Sequence, residues 1–491
     1  MTGPSVAVIG AGFGGMAAAV ALKRAGVDDL VIIERSDGVG GTWRSNTYPG
    51  AACDVQSHLY SLSFAPNPAW TRTYARQPEI LAYLENVADE FDLRRHLRVN
   101  TAVHTARWCA DDAQWELTAS DGAAIRADVV VSAVGLFGEP RAPEINGLAD
   151  FTGPVVHTAR WDDSVPWTGQ RVGVIGTGAS GVQVIPELAD VAASVTVFQR
   201  TPPWMVPKDD RRFSTTELER FAAEPATMAA ERERIWQEFH VNTAIAADDP
   251  LVAGRAGYAT AFLEAQVADD RLRADLTPDY PFRCKRVLLG DAYYRALQRD
   301  HVALVSDPIT RVTAGAVETA VSTYDVDAIV LATGFETSHY LSGLDVVGTG
   351  GRSLHDEWAG DPRAYLGVAV HGYPNFFMLY GPNTNQGGNS IVYILEAAAE
   401  LVVDAVRVLA REGGSLEVTA EAEAEFNKRI DAELERSIWT LCDSYFRSSS
   451  GRIVTQWPYT ELEYQRRTSA MRPEDWVHTT LRLNSSSRPG L

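Results

Sequence analysis

Apolar and polar positions repeat one arrangement twice along this 491-residue chain. Val6–Ile9 and Arg171–Ile175 are short, largely apolar runs, and each ends in glycines before a stretch with helical spacing. Such runs, too short for a helix and without polar alternation, suit strands covered on both faces. The stretches behind them, 14–24 and 179–188, read as helices. The same signal predicts buried strands at 30–33, 129–134, 194–198, 328–335 and 376–380, and helices at 73–95 and 391–409. Residues 107–127 alternate around Ser120-Asp121-Gly122 and predict a small antiparallel insertion. Residues 214–275 are rich in Ala, Glu and Arg with few glycines, the composition of helices. Strands alternating with helices predict an α/β fold, and the length suits two or three domains.

The glycines give the repeats a chemistry. Gly10, Gly12 and Gly15 are spaced G-x-G-x-x-G after the first run, and Gly176, Gly178 and Gly181 repeat that spacing after the second. The first glycine makes the turn, the second admits a pyrophosphate to the backbone, and the third lets helix and strand pack closely. Free N–H groups and the positive end of the helix dipole then receive the phosphates. Two such units predict two Rossmann-like domains and two dinucleotides. The ends of the next strands tell the sites apart. Leu30–Ile33 ends at Glu34, whose carboxylate suits ribose hydroxyls and repels a 2′-phosphate, so FAD or NAD is expected there. Ser194–Phe198 ends in Gln199-Arg200-Thr201, and an arginine so placed pairs with a 2′-phosphate and favours NADPH.

Composition removes several classes. A net charge of −20 argues against nucleic acid as a partner. No apolar run is long enough to span a membrane, and MTGPS leads into the first strand without a basic or apolar leader. Cys53, Cys109, Cys284 and Cys442 are scattered with no C-x-x-C pair. They read as neither a disulfide framework, nor a zinc site, nor a redox-active disulfide. The expectation is a cytoplasmic protein without a metal, a monomer or a weak homodimer.

Two longer signatures surround the repeats. Residues 151–162 carry F-x-G-x-x-x-H-x-x-x-W-D through Phe151, Gly153, His157, Trp161 and Asp162. Behind the first repeat come Gly40, Gly41 and Trp43, then Tyr48-Pro49-Gly50 and Asp54. Together with QRTPPW at 199–204 and the Lys285-Arg286 pair before an aromatic-rich stretch, they resemble the type I Baeyer–Villiger monooxygenases, class B flavoprotein monooxygenases. The resemblance covers almost the whole chain.

It implies an FAD domain from 1–150 and 334–491, and an NADPH domain from 151–333 with a helical insertion at about 214–275. FAD contacts are expected from Gly10, Gly12, Gly15, Glu34, Gly41, Trp43, Asp54 and Val103. NADPH contacts are expected from Gly176, Gly178, Gly181, Arg200, Thr201 and Lys285. Thr333 and Gly334 lie where the chain returns to the FAD domain, and Asn383 in the glycine-rich loop ahead of the helix at 391. The implied activity consumes NADPH and O2 and converts a ketone to an ester or lactone through a flavin C4a-peroxide. That peroxide must stay deprotonated to attack a carbonyl. A permanently charged Arg286 guanidinium would favour the anion, with Asp54 orienting it. These two are the catalytic candidates.

His157 is expected to anchor the linker through backbone hydrogen bonds rather than to catalyse. Cys442-Asp443-Ser444-Tyr445-Phe446 departs from the Ser-Trp-Tyr of many relatives, which bears on the substrate pocket. LNSSSRPGL at the end reads as disordered. Three alternatives remain: a flavin monooxygenase acting on amines or sulfides, a disulfide reductase (disfavoured by the missing C-x-x-C), and a non-catalytic FAD/NADPH sensor.

Overall fold

The short β-branched runs form two parallel sheets in a computed structural model that describes residues 3–240 and 246–480. In chain order the strands are β1 (Val6–Ile9), β2 (Leu30–Ile33), β3 (Leu97–Arg98), β4 (Val129–Ser132) and β5 (Val155–His157). They continue with β6 (Arg171–Ile175), β7 (Ser194–Phe198), β8 (Val302–Val305), β9 (Ala328–Leu331) and β10 (Phe376–Met378). One sheet has the order β10-β4-β1-β2-β3 and the other β8-β7-β6-β9-β5. Neighbours are parallel throughout. Ile9 pairs with Ile33 and Ser132, so three strands end level and open a crevice at their carboxyl ends, where α/β sheets bind ligands.

Helix α1 (Phe13–Arg24) follows β1, and α2 (Ala179–Val191) follows β6, running past Pro186 and beyond the predicted end. The strands predicted at 129–134 and 328–335 stop early, at Ser132 and Leu331. The reason is steric. A Cβ on Gly10 would lie 2.6 Å from the Ala133 oxygen, and one on Gly176 would lie 2.5 Å from the Ala332 oxygen. The amides of Ala133 and Ala332 still donate to Ile9 and Ile175, and beyond them the chain passes close against the glycine turns, which only glycine allows. The helix predicted over 73–95 is confined to Gln77–Glu90, and the predicted meander appears as Val103–Cys109, Gln114–Ala119 and Ala124–Ala127.

The segment expected to be helical contains α3 (Thr215–Ala223), α4 (Pro225–His240), α5 (Pro250–Gln266) and α6 (Asp270–Asp275). Ser214 and Glu217 form a full capping box on α3, and Asp249 and Asp269 cap α5 and α6. Arg232 docks this insertion: its Nη1 donates to the carbonyls of His58, Leu59 and Ser61 at 2.9, 3.1 and 3.0 Å. Helix α7 (Ile391–Glu412) then crosses α1 at Gly14, where a side chain would meet Leu395. The terminal LNSSSRPGL lies outside the described residues.

His58 sits under the insertion against Phe213 and Phe221, and neither ring nitrogen has a partner among the described residues. Burial holds its pKa down at about 4. A histidine whose folded pKa is below its unfolded value binds fewer protons in the native state. Its contribution is therefore full above about pH 6.5 and is lost as pH falls toward the folded value. The unfolding midpoint is expected to drop between pH 7 and 5, and His58→Leu to remove part of that slope. An unchanged slope in the variant would show that His58 does not carry it.

Candidate active site

The first glycine turn is built for close approach. Gly10 has φ +104°, and a Cβ on Gly15 would lie 1.9 Å from the Gly10 oxygen, so neither position accepts a side chain. Gly12 caps α1 without a side-chain bond, and no acid lies in the first turn. The N–H groups there are open to a phosphate. Gly41, at φ +53°, packs its backbone on Gly12. Glu34 is buried and accepts from the Ala11 and Ser36 amides, each at 2.8 Å. Thr101 N–H donates to the Glu34 carbonyl, and the chain runs from there to Val103, buried at the start of the meander. Trp43 lies in the short helix Thr42–Ser45 and donates from its indole to the Tyr60 hydroxyl. Ser132 Oγ, Asn389 Nδ2 and Ser390 Oγ are buried at the strand end and at the start of α7 without a partner among the described residues. That arrangement fits a flat, polar-edged cofactor such as FAD.

Asn383 serves differently from the expectation. Its amide donates to the carbonyls of Ile453 and Gln456, and its oxygen accepts from Arg452. The side chain therefore locks the C-terminal segment to the loop, and the backbone amide adds a bond to the Val454 carbonyl. Thr333 likewise donates to the Arg141 carbonyl, and the Arg141 amide donates to Gly334, fastening the return crossing to the linker.

The second turn repeats the first. Gly176 has φ +106°, a Cβ on Gly181 would lie 2.4 Å from the Gly176 oxygen, and Gly178 faces open space. Gly178 also caps α2 with no side-chain bond and no acid behind it. The Thr201 carbonyl accepts from Thr177 beside it. Arg200 is exposed, and Lys285 approaches from a distant segment, its ammonium 4.7 Å from the centre of the Tyr280 ring. Burial, then the charge of Arg200, lowers the Lys285 pKa. Two cations near enough to repel one another fit a doubly charged phosphate.

Asp54 and Arg286, 232 residues apart, meet. Arg286 Nε donates to Asp54 Oδ2 at 2.9 Å, and Nη2 donates to the same oxygen. Burial alone would raise the Asp54 pKa, but the charge and hydrogen bonds of Arg286 outweigh it and hold the carboxyl below its usual range. Asp54 in turn holds Arg286 above its usual value. The Tyr380 and Tyr445 hydroxyls feel both charges, and burial raises their pKa values. His157 accepts from the Ala159 amide at 3.0 Å, capping the short turn behind it, and burial lowers its pKa.

With this geometry in hand, similarity to known proteins is decisive. Residues 7–245 match the family model described as pyridine nucleotide-disulphide oxidoreductase. The chain is 42% identical to a Baeyer-Villiger monooxygenase of Streptomyces coelicolor, over 94% of this chain and 90% of that one. It belongs to the Baeyer–Villiger monooxygenase family. A second member, from Pseudomonas aeruginosa, is 40% identical over 92% of this chain and 87% of its own. A cyclohexanone monooxygenase from Rhodococcus sp. Phi1, solved bound to NADP+, has a TM-score of 0.87 at 32% identity, covering 97% of this chain and 99% of that chain. The OTEMO complex with FAD and NADP has a TM-score of 0.86 at 30% identity, covering 95% and 97%.

Within that family frame, three features escaped the sequence. Gln183 on α2 accepts from the Tyr48 hydroxyl at 2.7 Å and donates to the Ala52 carbonyl at 3.0 Å. A Cβ on Gly50 would lie 2.5 Å from the Gln183 oxygen, so the Tyr48-Pro49-Gly50 signature is a docking surface for α2. Lys208, over the Tyr74 ring, adds a second positive charge acting on Asp54. Neither residue carries a local signal, because each acts on a partner remote in sequence.

The third feature corrects the reading of the cysteines. Cys284 and Cys442 form a disulfide, with Cα atoms 6.1 Å apart, while Cys53 and Cys109 are free. Spacing in sequence could not show a pair separated by 158 residues. The bond ties the segment leading into Arg286 to the one leading into Tyr445. Denatured without reductant, the protein is expected to titrate two thiols, and four after reduction. Four before reduction would mean the bond does not form.

Proposed function

We propose that this FAD-dependent monooxygenase converts a ketone to an ester or lactone, using NADPH and O2. The balance is ketone, O2, NADPH and a proton giving ester, NADP+ and water. The observation that supports this reading best is the Asp54–Arg286 pair, joined across two segments, one following each glycine cradle. FAD, when bound, supplies the oxygen-activating chemistry. Gly10, Gly12, Gly15, Glu34 and Gly41 would hold it, with Ser132, Asn389 and Ser390 meeting its polar edges.

Arg286 remains charged at every physiological pH and favours negative charge on the attacking oxygen and, once that oxygen bonds to the carbonyl carbon, on the former carbonyl oxygen. Asp54 is too acidic here to act as a base near neutral pH, so its part is to hold the guanidinium by Nε and Nη2. Arg200 and Lys285 would bind the 2′-phosphate of NADPH, and the amides of the Gly176, Gly178 and Gly181 turn its pyrophosphate. In this reading, 1–150 and 334–491 form the FAD domain and 151–333 the NADPH domain. No described helix is long and apolar enough to cross a membrane, and we propose a monomer or weak homodimer.

The test is isotopic. With NADPH and 18O2, a panel of cyclic ketones should give lactones carrying one labelled oxygen, read by mass spectrometry. Labelled sulfoxides or N-oxides with no lactone from any ketone would move the assignment to heteroatom oxygenation. Absence of label from every product would end the monooxygenase reading.

A further inference from the structure

The Cys284–Cys442 bond stands at the edge of the active site. Cys284 is followed directly by Lys285 and Arg286, and Cys442 by Asp443, Ser444 and Tyr445. The pairing of the two segments continues past the bond. Burial and the Arg200 charge lower the Lys285 pKa while Asp279 and Asp443 oppose them, and burial raises the Tyr445 pKa while the Arg286 charge opposes it. Lys285, Arg286, Trp439 and Phe446 line one narrow recess. Yet among the described residues no hydrogen bond or ion pair joins 284–286 to 439–446. The disulfide is therefore what fastens the wall made by 439–446 to the segment carrying the arginine.

That wall has its own supports. Arg447 Nε donates to the Gly451 carbonyl at 2.9 Å and its Nη1 to the Thr440 and Cys442 carbonyls, each at 3.5 Å, closing 440–451 on itself. Thr337 Oγ1 donates to the Tyr445 carbonyl at 2.9 Å, and the Val454 amide to the Phe446 carbonyl at 2.9 Å. Opening the bond would loosen the wall without unfolding it. The two sulfurs differ in access, since Cys284 is 0% exposed and Cys442 is half-buried. A thiol from solution reaches Cys442 first. The cations beside Cys284 in sequence, Arg283, Lys285 and Arg286, favour the thiolate that leaves.

We propose that Cys284–Cys442 is a reversible redox site that sets how much NADPH ends in product. Closed, it holds 439–446 against the Arg286 segment and keeps water out; opened by a dithiol, it lets NADPH be spent on hydrogen peroxide. In the opening step a dithiol thiolate attacks Cys442 Sγ, the S–S bond breaks, and Cys284 leaves as a thiolate that takes up a proton. The second thiol then displaces Cys442 from the mixed disulfide, so the dithiol is oxidised and the pair reduced. Hydrogen peroxide reverses this. The Cys442 thiolate attacks one peroxide oxygen, giving a sulfenic acid and a hydroxide that is protonated to water. The Cys284 thiolate displaces the second hydroxide and remakes the bond. Two thiols and one peroxide give one disulfide and two waters. Peroxide from wasted turnover thereby restores the closed form. Only the product readout of the test rests on the proposed Baeyer–Villiger activity.

The test compares the holoenzyme purified in air, the same protein reduced with dithiothreitol and freed of it without oxygen, and the reduced protein treated with stoichiometric hydrogen peroxide. Thiols titrated after denaturation should number two, four and two. Backbone hydrogen exchange in 281–289 and 439–447 should quicken by about tenfold or more on reduction and slow again with peroxide. With a cyclic ketone, and catalase present to keep the bond open, product per NADPH should fall severalfold in the reduced form. Cys442→Ser, at the half-buried position, and Cys284→Ala should both match the reduced parent, ignore both reagents and keep their FAD. Cys109→Ser, which removes a thiol outside the pair, should respond like the parent. Four thiols before reduction, or equal exchange in the two parent forms, overturns the inference. So does a response to dithiothreitol that survives in Cys442→Ser, or loosened exchange with product per NADPH unchanged. No product from any ketone in either form would instead remove the activity, and thiol count, exchange and NADPH-driven peroxide formation would still decide the redox site.

Discussion

Arg286→Ala is expected to lower ester formation by about 10²- to 10³-fold, the usual effect of removing one fixed donor from a developing oxyanion. FAD should remain bound, because the FAD cradle is built from the first glycine turn and Glu34 rather than from this arginine. With productive oxygen transfer lost, NADPH consumption should yield hydrogen peroxide in place of ester. Gas chromatography of the ester, a peroxide assay and the flavin spectrum give the three readings together. Arg286→Lys should not restore the parent rate, since an ammonium cannot reproduce the paired Nε and Nη2 contact with Asp54. Asp54→Ala should resemble Arg286→Ala, and the double variant should be far less than the product of the two, because the pair acts as a unit. An Arg286→Ala enzyme that still makes ester near the parental rate would show that charge stabilisation lies elsewhere.

The second large effect concerns coenzyme choice. Arg200→Ala with Lys285→Ala should raise KM for NADPH by about 10²-fold or more, each charge-assisted bond contributing about 1.5–3 kcal/mol. Activity with NADH should change little, since NADH has no 2′-phosphate to lose. Steady-state kinetics with both coenzymes gives the ratio directly. Equal losses with NADH and NADPH would show that these cations support the fold or the nicotinamide end rather than the phosphate. Raising the salt should weaken the parental preference for NADPH, as the exposed Arg200 is open to screening.

Much of this molecule was legible in local sequence. The strands at 6–9, 30–33, 171–175 and 194–198 have the predicted bounds, because a short apolar run between turn residues leaves a parallel strand few alternatives. Both glycine turns were readable for a similar reason: Gly15 and Gly181 answer to the carbonyls of Gly10 and Gly176, five residues earlier. The helical character of the insertion followed from composition and its capping residues. Family signatures singled out Asp54, Arg286, Lys285 and Arg200 without saying how they meet.

Tertiary structure decided the rest. Asp54 finds Arg286 across 232 residues, and Cys284 finds Cys442 across 158, so no local pattern could have declared either pair. Strands ended at Ser132 and Leu331, where the next residues, Ala133 and Ala332, lie against the glycine turns of the other strand–helix units. Asn383 proved to lock the C-terminal segment through packing between segments about 70 residues apart. Backbone propensity and glycine sterics act over a few residues and can be read in order along the chain. Side-chain pairing and desolvation depend on which distant surfaces fill the same space, and only the folded chain determines that.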